Sequence, residues 1–219
     1  ADVSPGSYLI RGDCMADADI PPVARYAAAK GANLTIGVDA VSLGLIDPTY
    51  AAAKKLTDYG HEVVVYGGTP GWELWAPATK LDYISIWRKQ MQRAEIAWNG
   101  VLFTPGRLGV GGPWDRENLI RPGLLSCISG ELYAFDFRSP ALPGFRCMVG
   151  WTGLIQNNPN PNVPAWLAAK ITETETNGGV LVLASKIATA NDKASLKASI
   201  DALVASTLVS KTFGENIGL

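Results

Sequence analysis

The sequence predicts an α/β fold of parallel βαβ units, in one domain spanning residues 1–219. Three observations predict it. Short apolar runs recur without polar alternation, the pattern of strands covered on both faces. Segments of helical length, with start and stop residues of their own, separate these runs. And 219 residues with 47% hydrophobic content suffice for one full core, so length alone requires no second domain.

The elements follow in order. Tyr8-Leu9-Ile10 reads as a short buried strand. A helix starts near Pro21-Pro22, where the missing N–H groups would be unsatisfied anyway, runs through Val23, Tyr26 and Ala27, and stops at Gly31. Asn33 to Val38 is the next strand. Asp47 caps a second helix with Pro48 in its first turn; Gly60 ends it, and Glu62 to Tyr66 follows as a strand. A longer helix is expected over Ala78 to Trp98, because Leu81, Ile84, Trp87, Met91, Ala94 and Trp98 recur at helical spacing. Val101-Leu102-Phe103 is a strand, Glu117 to Ser129 a short helix broken by Pro122-Gly123, and Tyr133 to Phe137 another strand. Residues 139–164 carry five prolines among Gly and Asn, and are expected to form an irregular loop insertion with apolar anchors. A helix from Pro164 to Thr174, a strand Val180 to Leu183, a helix Lys193 to Leu208 and a final strand Val209 to Ile217 complete the chain.

Composition excludes several functions. Nineteen basic against twenty acidic residues give a net charge of -1, with no basic run, so nucleic acid and anionic membrane are not expected partners. No apolar run approaches the ~20 residues that span a bilayer, and no signal-peptide pattern opens the sequence. Three widely spaced cysteines (Cys14, Cys127, Cys147) form no Cys-x-x-Cys pair, and the plain reading is small buried side chains. One histidine in the whole chain makes a Ser-His-Asp triad improbable. No phosphate-loop motif or Gly-x-Ser-x-Gly elbow occurs, and Arg11-Gly12-Asp13 spells an adhesion tripeptide that a sequence of this length meets by chance.

That one histidine sits in Gly60-His61-Glu62-Val63-Val64-Val65-Tyr66-Gly67-Gly68-Thr69-Pro70. The stretch resembles the second motif of the polysaccharide deacetylase (NodB-type) family: Gly-His-Glu, a few strand residues, then His-x-x-x-His. The order of elements over residues 7–217 is similar to that whole domain. The resemblance implies a distorted, incomplete (β/α) barrel. It also implies metal-assisted hydrolysis of an acetyl group, in which one Asp and two His hold the metal, a second Asp is the base and another His the acid.

Carried over position by position, that chemistry is missing. The first motif ends a strand with Asp-Asp, but here Gly12-Asp13 leaves Gly12 at the base position and Asp13 as the surviving ligand. Tyr66 and Pro70 stand where the two metal-binding imidazoles belong. Thr104, before Pro105, stands where the family has an Arg, with Arg107 nearby, and Ala184 takes the place of the acid His. His61 matches the family's strand-start His, which is not a ligand. No metal, cofactor or catalytic residue of the family's kind is therefore expected.

Two functions remain. The first is a non-catalytic deacetylase-like domain, a glycan-binding or structural module, within an assembly such as a virion or cell-surface appendage and in an extracellular setting. Its partners would be a glycan or other protein subunits. Asp13, Tyr66, Trp72, Trp75, Arg107, Trp114 and Trp151 are the candidate glycan contacts, since indole faces on loops stack well on sugar rings. The plainer alternative is that these indoles pack the loops, as Trp87 and Trp98 would pack the helix. The second function is a carbohydrate-active hydrolase using carboxylates in the barrel mouth, drawn from Asp13, Asp39, Glu73, Asp115 and Asp136.

Overall fold

The computed structural model describes residues 6–13, 20–39, 47–67, 72–104, 112–130, 137–138, 148–155, 163–185 and 190–219. The candidate residues Pro70 and Arg107, and the mouth carboxylate Asp136, lie outside them, as does most of the strand predicted from Tyr133.

The chain alternates strand and helix as predicted. In order come β1 (Ser7–Asp13), α1 (Ile20–Ala29), β2 (Leu34–Asp39), α2 (Asp47–Asp58) and β3 (Glu62–Tyr66). A 3-10 turn (Trp72–Leu74), α3 (Pro77–Arg93), β4 (Val101–Thr104), α4 (Gly112–Asp115) and a π-helical turn (Arg116–Ile120) follow. Then come β5 (Cys127–Gly130), β6 (Phe137–Arg138), β7 (Met148–Ile155), α5 (Val163–Asn177), β8 (Val180–Ser185), α6 (Ala190–Val204), β9 (Val209–Ser210) and α7 (Phe213–Ile217).

The strands form one sheet in the order β6-β5-β4-β3-β2-β1-β8-β7. Every pairing along it is parallel except β5 with β6. One edge of β1 is shared. Ile10 to Asp13 pair with β2, while Ser7 and Tyr8 pair with β9.

The sheet is curled. β1 and β4 are three strands apart, about 14 Å in a flat sheet. Yet the Arg11 guanidinium of β1 lies 3.7 Å from the centre of the Phe103 ring of β4. Side chains therefore meet across a concave interior. β6 and β7 end the sheet without pairing among the described residues, so the barrel is incomplete.

Strand alternation sorts the core into two layers. Ile10, Leu34, Ile36, Val63, Val65, Leu102, Leu181 and Leu183 face outward into the main core beneath the helices. Leu9, Val64, Tyr66, Val101, Phe103, Cys127, Val180 and Val182 face inward, joined by Phe213 from α7.

Five sequence expectations are corrected. α3 ends at Arg93 rather than Trp98, because Glu95 takes a positive φ of 55° that no helix continues through. Leu81, expected on its buried stripe, is exposed, and Lys80 is buried instead. The helix expected up to Ser129 stops early, and Cys127–Gly130 forms β5. Gly123 turns left-handed at φ 79°, and the Ser126 N–H bonds the Gly100 carbonyl at 2.8 Å, steering the chain into the sheet. The loop expected over 139–164 contains β7, which places Trp151 in a strand, opposite Val182, rather than in a loop. The last predicted strand is only β9. Thr212 and Glu215 then form a capping box that starts α7.

Candidate functional site

Among the described residues the interior has a polar level at the N-terminal end of the strands and an aromatic one above it. At the N-terminal end of the strands stands Glu62, the first residue of β3. Its carboxylate accepts from Thr35 Oγ1 at 2.8 Å, Asn99 Nδ2 at 2.5 Å and the Gly214 N–H at 3.1 Å. The Phe213 N–H in turn donates to Thr35 Oγ1 at 2.8 Å. Burial pushes the Glu62 carboxyl above the usual carboxylate range, and these donors hold it partway back. Gly214 lets the carboxylate approach its backbone closely, since a Cβ there would lie 2.5 Å from Glu62 Oε1 and the Glu62 side chain would have to shift.

His61 precedes Glu62 and is buried. Its Nδ1 accepts from the Leu34 N–H at 3.1 Å, which leaves Nε2 to donate to the Ala24 carbonyl at 2.8 Å. That pairing needs the neutral ring, and burial lowers its pKa accordingly. His61 thus ties β3 to β2 and α1 and touches no reacting centre. A cavity of about 440 Å³ opens beside it, lined by His61, Glu62, Asn99, Thr212 and Glu215 among others. It lies at the end of the barrel opposite the mouth, where Asn99 bonds Glu62 and Thr212 bonds Glu215.

Toward the mouth the interior is differently built. Gly37 of β2 leaves room that a side chain would fill, for a Cβ there would meet Phe103 Cδ2 at 3.0 Å and Tyr66 Cβ at 3.3 Å. The Phe103 ring leans into that space. Arg11 lays its guanidinium on one part of it, and the Phe213 ring meets it edge-on at 5.3 Å. Arg11, Phe103 and Tyr66 are all buried. Sequence reading passed over Arg11, although the signal is present: two residues beyond Leu9 on one strand, it must share Leu9's inward face.

Outside the barrel an aromatic annex is built on α3 and the 3-10 turn before it. Trp72, Trp75, Tyr83 and Trp87 stack in tilted pairs 4.6–6.3 Å apart. A buried ion pair locks it, Lys80 Nζ to Asp115 Oδ1 at 2.7 Å, with Trp72 Nε1 donating to Asp115 Oδ2 at 2.9 Å. Lys80 also lies over the rings of Trp72 and Trp114.

The candidate residues therefore separate. Gly12 is buried, between Ile36 and Ser185 in register. Asp13 and Thr104 end β1 and β4. Ala184 pairs with Arg11. Trp72 is 0% exposed and offers no face to a sugar, which corrects its assignment as a glycan contact. Trp75 and Trp114 are half-buried and pack against the core. Asp115, a candidate mouth carboxylate, is buried against Lys80 instead.

Do these residues fit the metal that the resemblance implies? They do not. Tyr66 contributes a phenol inside an apolar cluster, the sole imidazole is bonded at the opposite end, and a permanent cation occupies the interior between β1 and β4. Among the described residues no three His, Cys, Asp or Glu side chains converge.

No protein-family model and no curated protein matches the sequence. Solved structures do match. A family 4 carbohydrate esterase from Bacillus anthracis superposes with a TM-score of 0.61 at 11% identity, over 99% of this chain and 84% of its own. The chain has the family 4 carbohydrate esterase fold. An acetate complex of the family 4 esterase from Streptomyces lividans gives 0.59 at 13% identity, over 95% and 92% of the two chains. BA3943 from Bacillus anthracis, described as a family 4 pseudoenzyme, gives 0.61 at 11%, over 99% of this chain and 66% of its own. At these identities the likeness is one of fold: the esterase half-barrel is present, and its chemistry has to be read from this chain's own residues.

Proposed function

We propose that this chain is an esterase-fold domain without hydrolytic chemistry, serving as a binding or structural module. One observation carries the reading: the barrel interior beneath the strand ends is filled by Arg11, Phe103 and Tyr66, where acetyl hydrolysis would need imidazoles, a base and a water. The likeness to a structure described as a family 4 pseudoenzyme supports it. The aromatic annex favours a structural role over a sugar platform, since Trp72, Trp75 and Trp87 are spent on one another and on Lys80. A glycan or a neighbouring subunit of an assembly would be the partner. Among the described side chains no observation favours the carboxylate hydrolase: Glu62 lies at the far end of the barrel and Asp115 is held by Lys80.

The test is acetate release from acetylated chitooligosaccharides and acetylated xylan, with and without added zinc, beside a glycan array. We expect no acetate above the buffer rate. Zinc-dependent acetate release would overturn the reading. Array binding would make the partner a glycan, and a blank array would leave the structural role.

A further inference from the structure

The cavity at the N-terminal end of the barrel combines space, an apolar wall and an unmatched charge. It measures about 440 Å³, room for a small molecule. Ile96, Ala97 and Leu219 give it an apolar wall, and its charged side chains are Glu62, Glu95, Glu215 and Lys54. Two of these are already engaged: Lys54 pairs with Asp58 at 3.3 Å, and Glu215 closes the capping box of α7. Glu62 has hydrogen bonds but no counter-charge. Its donors, the Thr35 hydroxyl, the Asn99 amide and the N–H groups of Phe213 and Gly214, are all neutral. A carboxylate drawn out of water is ordinarily matched by a cation. Burial holds this one above the usual carboxylate range in spite of those donors. Glu95 brings a second carboxylate, exposed at the turn after α3, with a φ of 55° that a glycine would adopt without strain.

We propose that this cavity is a binding site for a primary ammonium on a short apolar stem, the chemistry of a free alkylamine or of a lysine side chain. The ammonium supplies the charge that Glu62 lacks, with Glu95 as a second carboxylate, while Ile96, Ala97 and Leu219 receive the stem. A guanidinium suits the site less. Each Glu62 oxygen already accepts from a side chain and from the Gly214 N–H, so the two parallel acceptor positions that a planar fork requires are taken. An ammonium is a compact charge with three rotatable donors and needs only one line of approach. A metal ion fits less well again, since no three His, Cys, Asp or Glu side chains converge among the described residues.

Titration of the full chain with n-butylamine, followed through the amide resonances of Ile96, Ala97, Asn99 and Gly214, tests this. n-Butanol, of the same length without the charge, is the control. Saturable shifts at those amides with butylamine, and none with butanol at equal concentration and ionic strength, are expected. Glu95→Gln keeps the fold, because the side chain is exposed, and should weaken butylamine about two- to fivefold. Glu62→Gln should abolish the saturable shifts; if that variant does not fold, Glu95→Gln carries the test alone. Equal shifts with butanol, no saturable shift with butylamine, shifts confined to other parts of the chain, or an affinity unchanged in the variants that fold would each overturn the proposal. Nα-acetyl-lysine amide is the second ligand. Binding tighter than butylamine would name a partner's lysine as the source and weaker binding a free amine, and either ranking supports an ammonium site. Neither acetate release nor array binding is read, so this inference and the reading of function fail separately.

Discussion

The two ends of the barrel have been treated differently. At the N-terminal end, Glu62, Thr35, Asn99 and the start of α7 form a closed set of hydrogen bonds, with His61 beside it bonded on both ring nitrogens. Toward the mouth, the described interior relies on rings and one cation, Arg11 over Phe103 with Tyr66 nearby. Gly60-His61-Glu62, the stretch that resembles the esterase motif, does structural work in this chain: His61 bonds the Leu34 N–H and the Ala24 carbonyl, and Glu62 bonds Thr35, Asn99 and Gly214.

The comparison can be broken experimentally, and the largest effect lies outside both ends. Removing Asp115 strands a fully buried ammonium among indoles. Asp115→Ala should lower stability by about 3–5 kcal/mol by urea unfolding. Lys80→Met with Asp115→Asn should recover much of that loss if only the charge imbalance matters. A cost for D115A below about 1 kcal/mol would mean that the annex is not held by the pair.

Next is the closed end itself. Glu62→Ala leaves Thr35, Asn99 and the Gly214 N–H without their shared acceptor, and should cost about 2–4 kcal/mol. Glu62→Gln returns one acceptor but turns an NH₂ toward donors, so it should lie between. Hydrogen exchange at Phe213 and Gly214 should accelerate in both variants. Unchanged protection there would separate α7 from Glu62.

The smallest effect is a pH slope. The folded pKa of His61 is lowered, so between that value and about 6.5 the unfolded chain binds the extra proton. Its contribution is complete above pH ~6.5 and is lost as pH falls through that window. Glu62 runs the other way: its folded pKa is raised, so acidification toward that value relieves the cost of a buried carboxylate. Urea unfolding of wild type and His61→Gln at stepped pH should show the slope near neutrality only with His61 present. The same slope in both chains would exclude His61 as its source.

Much of this architecture was readable before any coordinates. β1, β2, β3, β4 and β8 are apolar runs between capped helices, and local pattern suffices for them. β5 and β7 escaped because pairing across the sheet, rather than local signal, makes them strands: β5 offers only Cys127 and Ile128, and Gly150 and Gly153 interrupt β7. α7 announced itself through Thr212 and Glu215 and was overlooked beside Val209. At the site, the absent imidazoles were legible from a count of one histidine. Arg11 over Phe103, and Lys80 against Asp115, were not, because each joins elements far apart in the chain. The Trp72 loop looked like a platform since loop position says nothing of which way a ring faces.

The shared edge of β1 bears on how the chain comes together in time. β2 completes only half of that edge; the other half waits for Val209 and Ser210, and Ser7 Oγ donates to Asn216 across almost the whole sequence at 2.8 Å. Glu62, too, finds backbone donors in Phe213 and Gly214 at the start of α7. During synthesis the early βαβ units can collapse on their own, but the first strand keeps an open margin and the Glu62 carboxylate keeps an unfilled side until the residues after 208 have left the ribosome. The slow step of folding should therefore be a late docking event, sensitive to changes in α7 and indifferent to changes in α2.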